Sequence, residues 1–299
     1  MDDWLADRFE GHRPHLRAVA YRMLGSLTEA DDAVQDTWLR LSHAGVGGVD
    51  NLGGWLTTIV ARVCLNVLRS RNTRREDSFG LQLPDPLITS DGELQPEDEA
   101  MLADSVGLAL LIVLDTLAPA ERLAFVLHDM FDLPFDEIAP MVGRTPAAAR
   151  QLASRARRRV KGAEIPVPDP DLARQRDVVD AFFLAARGGD FDALVAVLHP
   201  EVVLRIDAGA SRVAASMVIR GAAAVARQAH LGLKALFVRP AMDLLPALVN
   251  GAAGVVVTLD GQPMTVMGFT VANGKIVEID AIADPDRVRR IAVGVLTDE

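Results

Sequence analysis

Cysteine is almost absent from this chain. A single residue, Cys64, stands among 299, which excludes a disulfide framework and any multi-cysteine metal site. Its place in an apolar helical run predicts a small core residue. The amino terminus, MDDWLADRFEGHRPH, lacks the apolar core of a signal peptide. No apolar run reaches membrane-spanning length; residues 105–114 are too short and continue into a soluble pattern. The expectation is a soluble, cytoplasmic protein with no membrane segment. Half of the residues are hydrophobic, enough for sizeable cores, and the length suggests two or three domains.

Two further absences are local and opposite in sign. Residues 76–104 hold nine carboxylates and no Lys or Arg. Between Glu137 and Glu164 there is no acidic residue, yet seven basic ones fall there, from Arg144 to Lys161. The net charge of −10 is therefore a poor guide to partners, because its distribution is so uneven.

The basic stretch is LPFDEIAPMVGRTPAAARQLASRARRRVK, residues 133–161. Phe135, Ile138, Ala139 and Val142 fall on one face of a short helix. Gly143 is a stop signal, and Thr145-Pro146 supplies an N-cap with proline at the first helical position. Ala149, Leu152, Ala153, Ala156 and Val160 form the expected buried side of a second helix. Its other faces carry Arg150, Gln151, Ser154, Arg155, Arg157, Arg158 and Arg159, with no acidic partner nearby in sequence. A helix–turn–helix with a small, polar, arginine-rich second helix suits a major groove flanked by phosphates. The plainer reading is a solvated basic helix in an ordinary bundle.

Residues 4–75 read as all-helical. A helix is expected over 5–24, ended by Gly25-Ser26, and a second opens at Thr28. Ala30, Val34, Trp38 and Leu41 form its apolar stripe, with Asp31, Asp32, Gln35 and Asp36 largely opposite. That acidic face is either solvated or a dock for a partner helix. A glycine-rich loop over 42–54 precedes a third helix from Trp55, made basic by Arg62, Arg69, Arg71, Arg74 and Arg75, a second candidate nucleic-acid surface. Residues 76–104 read as an irregular acidic linker. Two helices over 105–132, broken at Ala118-Pro119, lead into the helix–turn–helix. Pro166, Pro168 and Pro170 mark another linker, 164–171. From Leu172 two helices precede strand-like runs at 201–207, 252–260, 263–272 and 275–283, with Asn250-Gly251, Asp260-Gly261 and Asn273-Gly274 as turns. Helices followed by an antiparallel meander predict a compact α+β domain.

Three segments in order, TEADDAVQDTWLRL, WLTTIVARVCLNVLRSR and the helix–turn–helix, resemble an extracytoplasmic-function (ECF) sigma factor. The carboxy-terminal half resembles a SnoaL-like domain of the NTF2-like fold, and the combination resembles the SigJ-like subfamily. The resemblance implies a multidomain chain: two all-α sigma domains, the second with a helix–turn–helix, then an α+β NTF2-like/SnoaL-like cone. The implied boundaries are a region 2 domain at 1–75, an acidic linker at 76–104, a region 4 domain at 105–163, a proline-rich linker at 164–171 and the SnoaL-like domain at 172–299. Asp32, Gln35 and Asp36 would dock on core RNA polymerase. Arg62, Asn66, Arg69 and Arg71, with the loop at 42–54, would capture the promoter −10 element. Arg150, Gln151, Ser154, Arg155 and Arg158 would read or brace the −35 element. LQLPDP, with Leu83, Pro84, Asp85 and Pro86, resembles the subfamily's linker signature with Gln82 in place of Trp. DPDRV, with Asp284, Pro285, Asp286 and Arg287, resembles its carboxy-terminal signature, and DAGASR at 207–212 loosely resembles its glycine-rich one. These residues would regulate from the extension.

The implied partners are core RNA polymerase and promoter DNA, with a small-molecule ligand in the cone as a further candidate; an anti-sigma partner is not readable. No metal or cofactor is expected. Catalysis would need an acid or base in an apolar pocket, and His199, Asp207, His230, Asp243 and Asp280 are candidates, but no spacing among them specifies a reaction. The chain is therefore expected not to be an enzyme. The alternative, a one-component DNA-binding regulator with a ligand-sensing or catalytic cone, leaves the amino-terminal helices and the acidic linker unexplained.

Overall fold

The computed structural model describes residues 2–44, 51–75, 81–89, 107–237 and 241–292. They divide into two compact units, one of residues 1–78 and 95–165, the other of residues 79–94 and 166–299.

The first unit opens with α1 (Asp2–Glu10), α2 (Arg13–Leu24), α3 (Leu27–Ala44) and α4 (Leu52–Arg75). The single helix expected over 5–24 is broken at Gly11-His12, and Pro14 falls in the first turn of α2. Proline has no N–H to give, so an amino-terminal turn is where it fits. The expected loop over 42–54 is shortened at both ends, because α3 runs to Ala44 and α4 starts at Leu52. Asn51 Oδ1 accepts the Gly54 N–H at 3.0 Å and so caps α4. Residues 45–50 lie outside the described residues. Phe9, Leu16, Val19, Leu41, Leu56 and Val60 are wholly enclosed where α2, α3 and α4 meet; each such side chain contributes about 1.5–3 kcal/mol.

Next come α5 (Leu108–Asp115), α6 (Pro119–Phe125), a π-helical turn (Val126–Met130), α7 (Phe135–Val142) and α8 (Pro146–Gly162). Two arginines are the largest fully buried side chains among the described residues. Arg122 donates from Nε to the Arg22 carbonyl at 3.2 Å and pairs with Asp115 at 3.1 Å. The Arg22 guanidinium lies 4.7 Å over the Phe131 ring. These contacts join α2 to the α5–α8 segment.

The second unit contains β1 (Ile88–Thr89), α9 (Leu172–Gly188), α10 (Phe191–Val197), β2 (Leu198–Asp207), β3 (Met217–Arg220), α11 (Ala222–Phe237), β4 (Met242–Val249), β5 (Ala252–Leu259), β6 (Gln262–Ala272), β7 (Lys275–Ile282) and α12 (Pro285–Ile291). The strands form one sheet in the order β1-β4-β5-β6-β7-β2-β3. The meander is antiparallel as expected from β5 to β7 and extends back to β4, and Asn250, Asp260 and Asn273 take positive φ with the glycine that follows each, as type I′ turns require. The expectation of a wholly antiparallel set is corrected at one place: β2 runs parallel to β7. Strand β4 was not anticipated. Its Pro246 masks the pattern, and is tolerated because, among the described residues, β1 pairs only with Leu248 and Val249, leaving Pro246 without a β1 partner. Helices α9, α10 and α11 pack on one face over Phe182, Phe183, Leu194, Val225, Phe269 and Ile279. This is the helices-on-one-face arrangement expected of the cone. The supposedly irregular linker is corrected too: Ile88 and Thr89 are a strand of this sheet.

Candidate nucleic-acid interface

The helix–turn–helix owes its angle to two residues. Gly143, at φ 65°, closes α7 in the left-handed conformation that other residues avoid. Thr145 Oγ1 then accepts the Ala148 N–H at 3.3 Å and opens α8. Ala149, Ala153 and Ala156 are fully buried, and their small size lets α8 lie close on α6 and α7. Arg150, Gln151, Ser154, Arg155 and Arg158 are left exposed together, one row of a helix by their spacing.

The sequence suggested a basic cluster without counter-charges. The structure corrects that, because acids distant in sequence reach it. Arg155 Nε lies 3.1 Å from Glu121 Oε1, Arg159 Nη1 lies 3.4 Å from Glu121 Oε2, and Arg157 pairs with Asp129 at 2.5 Å. Arg150 sits 5.3 Å over the Phe135 ring, a cation–π arrangement. Arg158 has no ion-pair partner among the described residues. Neither Glu121 nor Asp129 was legible as a partner, since each stands some thirty residues from the arginines it meets.

On α3, Asp32, Gln35 and Asp36 are exposed, as are Leu39 and Arg40. Asp36, Leu39, Arg40 and His43 line an open hollow of about 500 Å³. Val34 and Leu41 are buried behind this face, and Trp38 packs on Phe9 with ring centroids 5.1 Å apart. On α4, Arg62, Asn66 and Arg69 are exposed at successive turns. Arg71 is held differently: it pairs with Glu29 and donates to the Leu24 carbonyl at 2.9 Å, bracing α4 against α3 and the end of α2.

In the second unit, Leu83, Pro84, Asp85 and Pro86 are all buried. The Leu83 N–H donates to Asp207 Oδ2 at 2.9 Å, and the Leu87 N–H donates to Asn250 Oδ1 at 2.8 Å. Arg287 is the centre of the arrangement. It donates to Asp85 and to the Leu83 carbonyl, and to Asp207 at 2.7 Å. Asp284 caps α12 by accepting the Arg287 N–H at 3.0 Å. Pro285 begins the helix, and Asp286 is exposed and pairs with Arg289. Gly209 has φ 83°, and a Cβ there would run into the Asp284 carboxylate. Four side chains or turn residues were not singled out for this contact from sequence: Asp207, named only as an acid–base candidate, Gly209, Arg212, which donates to the Ala283 carbonyl, and Asn250, read only as a turn. The DAGASR segment was the available signal for the first three.

Two family models match the chain: Sigma-70 region 2 over residues 8–74 and Sigma-70, region 4 over residues 108–160. The chain is 38% identical over 290 residues to the ECF RNA polymerase sigma factor SigJ of Mycobacterium tuberculosis (strain ATCC 25618 / H37Rv), covering 93% of this chain and 91% of the relative. This chain belongs to the ECF RNA polymerase sigma factors. A probable ECF sigma factor, SigI, of M. tuberculosis (strain CDC 1551 / Oshkosh) is 34% identical, covering 95% of this sigma factor and 94% of its own length. The crystal structure of M. tuberculosis SigJ superposes with a TM-score of 0.74 at 35% identity, covering 97% of this chain and 98% of that one.

The acid–base candidates of the sigma factor's cone do not converge. His199 and Asp243 are exposed on β2 and β4, His230 lies on α11, and Asp207 belongs to the Arg287 cluster. Asp280 lies beside Arg205 at 3.0 Å, which also holds Glu278 at 2.8 Å. Leu204 and Ile279 face the helices, so Arg205 and Asp280, one residue on, face the other way. Burial pushes the Asp280 carboxyl up to about 6, against the pull of Arg205. Where the helices meet the sheet, Phe182, Phe183 and Phe269 fill the space edge to face, 5.4–5.8 Å apart. No group of three metal-ligating side chains occurs among the described residues, and no described helix is long and apolar enough to cross a membrane.

Proposed function

We propose that this sigma factor docks on core RNA polymerase in the cytoplasm through the exposed face of α3, captures the melted −10 element with Arg62, Asn66 and Arg69 on α4, and reads the −35 element with α8. The observation that carries this reading is the exposed row Arg150, Gln151, Ser154, Arg155 and Arg158 on a helix whose other side is packed alanine. Arg and Gln bond base edges in pairs, and the remaining arginine holds phosphate. It acts as an initiation factor and not as an enzyme. The carboxy-terminal unit grips residues 83–87, which lie in the chain between the two sigma regions, and so modulates activity by limiting their freedom to separate.

Reconstitution with core polymerase on a mapped promoter tests this. The protein enables promoter-specific initiation, whereas a one-component regulator binds duplex DNA unaided. Arg150→Ala and Gln151→Ala lower −35-dependent transcription by about 1–3 kcal/mol, and Arg158→Ala weakens binding evenly across sequences. Unchanged transcription across all three would sink the −35 assignment.

A further inference from the structure

Among the described residues, Glu121 is the one carboxylate that two arginines of α8 share. Its side chain is 11% exposed, while those of Arg155 and Arg159 are 54% and 57% exposed. The two arginines are four residues apart, one turn of helix on the same edge. Arg155 approaches Glu121 through Nε at 3.1 Å. Arg159 donates from Nη1 to Glu121 at 3.4 Å and to the Thr116 carbonyl at 3.4 Å. Ion pairs of exposed arginines add little stability, so folding alone does not account for a carboxylate kept from water beneath them. What the pair does supply is geometry. A guanidinium tethered near its Nε loses the freedom to swing, and its planar fork is held in one orientation. One carboxylate also removes one of the two positive charges that would otherwise attract any phosphate.

We infer that Glu121 is a positioning residue for −35 readout: it holds Arg155, and with it Arg159, so that these arginines meet one DNA register and bind indifferent phosphates less. The inference rests on the reading of α8 as the −35 helix. It makes promoter specificity a property of α6 as well as of α8. Without Glu121, both arginines are free to find the nearest phosphate, so sequence-independent binding strengthens while specific binding gains nothing.

The test uses holoenzyme assembled from full-length sigma factor and core polymerase. Binding is measured to a mapped promoter and to the same promoter with a scrambled −35 element, across a salt series. Glu121→Gln keeps the shape and loses the charge. The ratio of specific to scrambled affinity falls roughly tenfold, the scale of one base contact, and the salt dependence on scrambled DNA steepens by about one released counterion. A paired variant, Arg155→Lys with Arg159→Lys, keeps both charges and loses the fork; it lowers the same ratio and leaves the salt slope unchanged. It stands in should Glu121→Gln not fold. A wild-type ratio and slope in folded Glu121→Gln overturns the inference, as does an equal loss on both DNAs accompanied by a lower melting temperature, the mark of a structural role alone. Failure of the α8 reading itself looks different: Arg150→Ala and Arg155→Ala then leave promoter binding at the wild-type level.

Discussion

At Asp280 burial outweighs a favourable neighbour. The carboxyl titrates at about 6 instead of 3.8, because desolvation exceeds the attraction of Arg205, and Glu278 adds to the rise. The folded state therefore holds this proton more tightly than the unfolded chain. Below pH 4 both are protonated and the contribution is complete. As pH rises from about 4 to 6 the unfolded chain releases the proton first, and that part of the stability is lost. Asp280→Asn cannot ionise but can still accept from Arg205, so its melting temperature varies less between pH 4 and 7 than that of the wild type. Parallel curves for the two proteins would contradict the raised value. Cys64 shows the same force on a group with no role in charge: full burial pushes its thiol up to about 12, which makes it a core residue and not a reactive thiol.

Among elements, α3 and the contact between α2 and the π-helical turn answer to different forces. The α3 surface has Asp32 and Asp36 in solvent and Val34 and Leu41 beneath. Reversing both charges, Asp32→Lys with Asp36→Lys, leaves the buried stripe untouched and weakens binding to core polymerase. A pull-down with undiminished polymerase capture by the folded double variant would contradict the docking assignment. At the other contact, His15 Nε2 lies 3.2 Å from Thr57 Oγ1 and its ring meets Phe131 edge-on at 5.2 Å. Burial first, then His12 and Arg22, lowers the His15 pKa below 6.5. The packed state thus favours neutral imidazole. Above pH 6.5 nothing is lost, but as pH falls below it the unpacked state takes up the proton first and the packing weakens. Hydrogen-exchange protection of α2 and of residues 126–131, taken relative to the intrinsic exchange rate at each pH, falls between pH 7 and pH 5.5 in the wild type, and less so in His15→Gln. An identical pH response in the two would remove His15 as the cause.

For the whole molecule, the consequential fact is that a segment lying between the two sigma regions in the chain is built into the carboxy-terminal unit. Asp85 and Asp207 are both buried and both pair with Arg287. Arg287→Ala removes the guanidinium that both carboxylates meet, a loss of about 3–5 kcal/mol for a buried pair broken on one side, and protease cleaves within residues 81–89 sooner. Truncation before Asp284 also removes the α12 cap and changes transcriptional activity while promoter recognition persists. Removal of the entire unit has a different effect, since it takes away both the grip on residues 83–87 and the sheet that β1 completes. Equal activity from the full chain and both truncations, at matched concentration, would make the unit a passenger in transcription.

Local information sufficed for much of this. The helix–turn–helix was legible because Gly143, Thr145 and Pro146 act within a few residues of themselves, and the three Asx-Gly turns because each needs only its own two residues. The exposed rows on α3 and α8 followed from helical periodicity. What periodicity could not show was any partner distant in the chain. The acids under α8 come from α6 and the π-helical turn, Arg71 turns inward to Glu29, and Arg22 and Arg122 are buried where composition would put them in water. The acidic linker is the sharpest case. Its prolines and carboxylates read as irregular chain, since a two-residue strand has no period of its own and a buried aspartate looks like any other. Only the fold supplies Arg287, Asp207 and Asn250 to satisfy its charge and backbone groups, and a segment whose order depends on groups more than a hundred residues away is decided by tertiary structure alone.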